Sequence, residues 1–226
     1  MDKLKKLSKK LEGSSFDDRL ERYVKMNIFR DKIDDVKDDN ESRLKTEIKK
    51  LANDSLKDLF KLKDHFTWLQ SSEAKNASYF GYYLGQKDKE FKVWDYIKIN
   101  QKPKSKGGNS SFLSSYLKAL KENSSTKYFE AIDYMINQGD LVEYLPDVIW
   151  RAGLDEKSID LYIKKIDEKI IPYQTMNILA FGSVLTGLNT KIIHKLLDVL
   201  ESFEGIDAAS IAVSIVSHYE YYKDIF

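Results

Sequence analysis

WRAGLDEKSIDLYIKKI (150–166) and SVLTGLNTKIIHKLLDVL (183–200) decide how this chain is read. In each, a Gly (Gly153, Gly187) is followed by Leu and then by Asp155 or Asn189, whose side chains suit a helix N-cap. Lys two positions on and an apolar stretch at helical spacing complete both segments. The two Gly are 34 residues apart, the length of one helical hairpin. Stepping back by 34 reaches Ala119, Gly85 and Leu51, each at the end of one apolar run and before another. Three residues before each junction stand Ile48, Tyr82, Tyr116, Trp150, Val184 and His218; eight before it stand Leu145, Leu179 and Val213. Nine, ten and thirteen after it stand Tyr128, Phe129 and Ile132, then Tyr162, Ile163 and Ile166, then Leu196, Leu197 and Leu200. These columns predict packing positions in an all-α stack of about five antiparallel hairpins, right-handed, with a 34-residue period.

The segment LPDVIWRAGLDEKSIDLYIKKI (145–166) resembles HEAT-like repeats, with Pro146 early in the first helix and Asp155 opening the second. The basic residue that the HEAT pattern carries inside its second helix is not regular here, and 34 residues is short for that family. The tetratricopeptide family shares the period but places its Gly inside the first helix. The resemblance therefore implies an α-solenoid over roughly residues 40–226 and names no activity.

Composition agrees with long helices. The 226 residues hold only 10 Gly and 3 Pro, few breakers for a sandwich or barrel. Apolar residues make up 42% and charged residues 32%, with 37 basic against 36 acidic, so a packed core is expected and no chain-wide field attracts nucleic acid or lipid. Zero Cys excludes disulfides, thiol catalysis and cysteine metal sites, and predicts a cytoplasmic protein. MDKLKKLSKK lacks the apolar region of a signal peptide, and no run nears 18 uninterrupted apolar residues, so no membrane partner is expected. Residues 1–40 read as a charged helical segment, with Phe16, Leu20, Tyr23, Val24, Ile28 and Phe29 at helical spacing. The acidic run Asp31 to Glu41 follows, then Leu44, Ile48 and Leu51 begin a helical-repeat domain, 41–226, with a loop at 99–111. Gly139-Asp140 and Gly205-Ile206-Asp207 read as further helix breaks.

Chemistry-bearing motifs are scarce. No GxxxxGK[ST], GxSxG or His pair at four-residue spacing with Glu occurs, so nucleotide, serine-hydrolase and zinc-hydrolase chemistry find no motif. The acidic run lacks the Gly and closing Glu of a calcium loop. We expect no enzyme, no metal and no cofactor. By column, His218 is expected in a packing position, and His65 and His194 in solvent. Lys102, Lys104 and Lys106 beside Gly107-Gly108 are the candidate nucleic-acid contacts. The 14 Tyr, 11 Phe and 3 Trp include Tyr79, Tyr83, Tyr221 and Tyr222, which lie off the packing column and are the candidate protein-binding strip.

The expected function is a non-catalytic protein-interaction scaffold or sensor module, with a protein partner and a homodimer contact through the apolar-rich last helix. Lys, Asn, Ile and Tyr usage points to an AT-rich bacterial or phage source, where such arms belong to larger regulatory or defence proteins. The alternative is nucleic-acid binding. One DNA-repair glycosylase family has HEAT-like repeats, which would use Trp68, Trp94 and Trp150; a single-strand binder would stack bases on aromatic rings.

Overall fold

A computed structural model describes residues 15–25, 37–182, 184–186 and 188–223. Among them the secondary structure is helical, with one isolated bridge, Ser71 to Gly108, and no named strand. The chain divides into two compact units, Met1–Ala131 and Ile132–Phe226. Gly187, Asp31, Asp34 and Asp35 lie outside the described residues, as does the side chain of Tyr222.

The first unit opens with α1 (Phe16–Leu20), capped by Ser15, whose Oγ accepts from the Asp18 amide, and runs on as a π turn, Glu21–Lys25. Leu20 and Val24 are fully buried, and Asn76 holds the turn through its side-chain amide to the Tyr23 carbonyl at 2.9 Å. Next come α2 (Lys37–Lys57), a 3-10 turn Leu59–His65, α3 (Phe66–Leu69), α4 (Ala77–Lys87), α5 (Lys92–Asn100) and α6 (Ser111–Asn123), and the division between the units falls within α7 (Ser125–Asn137). The stripe Leu44, Ile48, Leu51 is buried on α2, as its spacing predicts.

Helices α2, α4 and α6 pack side by side. Phe112 through Leu117, Ala119 and Leu120 are all buried, which makes α6 the centre of this unit. The α4–α6 seam is close because Gly81 and Gly85 face it. A Cβ at Gly81 would sit 2.5 Å from the Phe112 carbonyl oxygen; one at Gly85 would meet the Tyr116 oxygen at 2.6 Å and the Ala119 Cβ at 3.0 Å. This corrects the reading of Leu51, Gly85 and Ala119 as junctions: all three lie inside helices. Their shared column is a packing position, buried at all three residues.

The second unit contains α8 (Leu145–Ala152), α9 (Glu156–Asp167), a 3-10 helix Tyr173–Ala180, α10 (Thr190–Glu201) and α11 (Ile206–Lys223). The 3-10 helix packs against both α8 and α11, while α10 lies against α9 and α11. Asp155 caps α9, accepting from the Ser158 amide and hydroxyl at 2.9 Å each, and Asn189 caps α10 through the Ile192 amide at 3.0 Å. Gly153 ends α8 at φ 83° and ψ 141°. Its positive φ suits glycine, and the ψ puts it outside the left-handed helical well. Asp207 is a first-turn residue of α11.

The predicted columns divide by position. Tyr128 and Ile132, Tyr162 and Ile166, and Leu196 and Leu200 are buried, with Phe129, Ile163 and Leu197 half-buried beside them. The column three before the junction buries Ile48 and Tyr116 fully and leaves Tyr82, Trp150, Val184 and His218 half-buried. Val213 overturns its column: Leu145 and Leu179 are inside, whereas Val213 is 65% exposed, because α11 buries Ala208, Ile211, Ile215 and Tyr219 on its other face.

Candidate functional site

The candidate tyrosines fall on two elements. Tyr79 and Tyr83, four apart on α4, both face α2: Lys45 Nζ lies 5.6 Å from the Tyr79 ring centre and Lys49 Nζ 4.9 Å from that of Tyr83. Tyr79 is exposed and Tyr83 half-buried. Tyr82, half-buried on the α6 side, meets Tyr83 edge-on at 5.8 Å. Lys118 of α6 stands 5.9 Å from its ring, and its hydroxyl donates to Glu122 at 2.7 Å. That bond, with burial second, raises the Tyr82 phenol above its ordinary range. Three rings and three lysines thus form one row across α2, α4 and α6. Tyr221 belongs to the second unit and is exposed on α11.

The same alternation continues at the end of the α4–α6 seam. Lys89 Nζ donates to Asn123 Oδ1 at 3.4 Å, and the Asn123 amide bonds the carbonyls of Gly85 and Gln86 at 3.2 Å each. Lys127 Nζ donates to the Lys89 carbonyl at 2.8 Å and lies 5.8 Å from the Phe91 ring centre. Phe91, at φ 64°, stacks on Trp94, which is 4% exposed.

Beneath lies a buried carboxylate. Asp88 accepts from the Lys92 amide at 3.0 Å, the Val93 amide at 2.8 Å and the Tyr116 hydroxyl at 2.8 Å, so it caps α5 and joins it to α6. With three donors it is a structural joint between the two helices.

Lys102, Lys104 and Lys106 are exposed, as expected of the loop. The loop is nonetheless pinned within the first unit. Gly108 N–H bonds the Pro103 carbonyl at 3.0 Å, Asn109 N–H bonds the Gln70 carbonyl at 2.8 Å, and Gln101 Nε2 bonds the Asn109 carbonyl at 3.3 Å.

His65 corrects its expected solvation. Its side chain is only 17% exposed, with Nε2 2.9 Å from Asp17 Oδ1 and Nδ1 accepting from Trp68 Nε1 at 3.1 Å. His194 is exposed as read, and His218 is half-buried with Nδ1 3.0 Å from the Ser214 carbonyl oxygen. The other two tryptophans are also held: Trp94 by Phe91, and Trp150 through Nε1 to the Phe181 carbonyl at 2.8 Å.

In the second unit, a shallow open groove of about 330 Å³ between α9 and α10 is crossed by Lys195, which bonds Asp160 at 2.8 Å and Glu156 at 3.1 Å. Those bonds raise the Lys195 ammonium above its ordinary range, so it is a fixed charge. On α11, Ile206, Val213 and Val216 are 87%, 65% and 38% exposed.

Among the described residues no group of three His, Asp or Glu is placed to hold a metal ion, and no helix is long and apolar enough to cross a membrane. Charge is divided, a feature the whole-chain balance hides. Residues 1–131 carry 29 Lys and Arg against 21 Asp and Glu, net +8; residues 132–226 carry 8 against 15, net −7; together these return the chain's +1. Compared with known proteins, the chain matches no family model, no curated sequence and no solved structure, so what is shown is an all-α fold.

Proposed function

We propose that the chain is a non-catalytic protein-interaction scaffold of antiparallel helical hairpins repeating every 34 residues, in the right-handed sense of HEAT-like arrays. Three contacts support the period, each between residues 34 apart: Lys45 with Tyr79, Lys49 with Tyr83, and Lys89 with Asn123; a Cβ added at Gly85 would likewise meet Ala119. The common burial of the columns on α7, α9 and α10 supports it further. A cysteine-free chain suits the cytoplasm, and a module of this kind suits an arm of a larger bacterial regulatory or defence protein.

The observation that carries the function is the second face of α11. Ile206, Ala209, Val213 and Val216 recur at the spacing of a coiled-coil seam, opposite the buried face Ala208, Ile211, Ile215 and Tyr219. Ile206 and Val213 alternate with Ala209 and Val216 along this exposed face, so the partner proposed is α11 of a second copy. Sedimentation velocity over a concentration series tests it. The chain should dimerise, and V213K/V216K should be monomeric with unchanged helical content. A monomer at every concentration, or an undisturbed dimer in the variant, overturns the reading.

A further inference from the structure

Beyond the scaffold, the row of rings and lysines on the first unit has the makings of a ligand surface. We propose that the α2–α4–α6 face binds single-stranded nucleic acid, with phosphates on Lys45, Lys49 and Lys118 and bases stacked on Tyr79, Tyr83 and Tyr82.

Single-strand sites combine cations that follow the backbone with aromatic faces on which bases stack, whatever their identity. Here both sit in one row on three neighbouring helices. Lys45 lies over Tyr79, Lys49 over Tyr83 and Lys118 over Tyr82, at 5.6, 4.9 and 5.9 Å, and Tyr82 and Tyr83 touch. Each ammonium lies within 6 Å of a ring centre, close enough to hold a phosphate beside a base at that ring. The supporting backbone is fixed by the Gly81 and Gly85 seam. The described residues of this unit carry 22 Lys and Arg against 16 Asp and Glu, net +6, a field that draws a polyanion in.

The row also selects among polyanions. Glu122, one turn beyond Lys118 on α6, accepts from Tyr82, and Glu47 lies on α2 where Lys50 and Arg19 pair with it. A rigid duplex, with its fixed phosphate spacing, would have to pass these carboxylates, whereas a flexible single strand can place phosphates on lysines and turn bases inward. An acidic peptide could pair with the lysines but would leave the three rings without a role.

Fluorescence anisotropy of the full chain with a labelled oligothymidylate of about 16 nucleotides tests this. Binding should weaken with salt along a log–log slope of about −2, the value for three lysines on a single strand. K45Q/K49Q/K118Q should lose at least about tenfold in affinity and flatten that slope. Tyr83→Leu should weaken binding about tenfold with the slope kept, while Tyr83→Phe retains affinity, because stacking needs the ring and not the hydroxyl. Circular dichroism melts equal to wild type confirm that the lysine variants are folded. The proposal is overturned by absence of binding at low salt, by equal affinity for a duplex of the same length, or by displacement with polyglutamate at equal charge. It is overturned also if K102Q/K104Q/K106Q loses the affinity while the K45Q/K49Q/K118Q variant keeps it. V213K/V216K should bind the oligonucleotide as wild type does, so this site and the α11 contact fail or stand separately.

Discussion

The Tyr116 hydroxyl donates to the Asp88 carboxylate at 2.8 Å, and this bond joins the central helix α6 to the start of α5. Tyr116 is fully buried and Asp88 is 6% exposed, so neither group can turn to water instead. Tyr116→Phe should cost about 1–3 kcal/mol, because Asp88 keeps its two backbone donors but loses one partner in a dry site. Asp88→Ala should cost more, since it also removes the α5 cap, worth about 1 kcal/mol. Urea unfolding of the two variants checks the order; a Tyr116→Phe variant as stable as wild type would show that the bond contributes nothing.

Burial is the larger cause that raises the Tyr116 phenol above the ordinary tyrosine range, and the Asp88 charge adds to it; burial alone is the leading cause for Tyr162. The unfolded chain ionises both near pH 10 while the folded chain keeps them protonated. Stability from these groups is therefore complete below about pH 10 and falls as pH rises beyond it, by about 1.4 kcal/mol per pH unit for each. Tyr116 lies in the first unit and Tyr162 in the second, so each reports on its own unit. In an alkaline titration, exposed tyrosines should ionise reversibly while these two ionise only as helical signal is lost. Ionisation of all 14 tyrosines with the helices intact would refute this.

Much of the fold is written in local pattern. The caps Asp155 and Asn189 and the buried–half-buried–buried columns of α7, α9 and α10 follow from hydrophobic period and cap chemistry, which act within one turn of helix. Val213 escapes such reading because α11 carries apolar residues on both faces, so periodicity does not select the inner one. His65 escapes it because α1, some 48 residues earlier, supplies Asp17. The lysine–tyrosine row is half legible: Tyr79 and Tyr83 lie off the packing column, but Lys45, Lys49 and Lys118 join them only once α2, α4 and α6 lie side by side. Net charge of +1 conceals the basic and acidic units for a simpler reason, that the sum was taken across a boundary no loop signal marks.

Trp68 fixes the proton on His65. An indole N–H can only donate, so Nδ1, 3.1 Å away, must accept, and the ring hydrogen sits on Nε2, pointing at Asp17 Oδ1. Nitrogen–proton correlation spectra at neutral pH should show the Nε2–H tautomer for His65 and should show mixed tautomers in Trp68→Phe. An Nδ1–H tautomer in the wild type would contradict the arrangement. His65→Ala should loosen α1, seen as faster hydrogen exchange at the amides of residues 19–24, with the α4–α6 seam unaffected.

Gly85→Ala sets two known effects against each other. Alanine in a helix interior is favoured over glycine by about 1 kcal/mol, so helix propensity alone predicts a gain. The added methyl, however, would lie 2.6 Å from the Tyr116 carbonyl oxygen and 3.0 Å from the Ala119 Cβ. The first is backbone of the central helix, which cannot step aside as a side-chain tip does. Prising α4 from α6 is overpacking, at about 1–3 kcal/mol, and the sum should be a net loss. Gly139→Ala is the control, because nothing lies within 4 Å of the position its Cβ would take. Denaturation midpoints should fall for Gly85→Ala and stay near wild type for Gly139→Ala. Since Tyr82 lies on the α6 side of α4, Gly85→Ala should also weaken oligonucleotide binding, and a variant with raised stability and unchanged binding would mean that the helices are not this close.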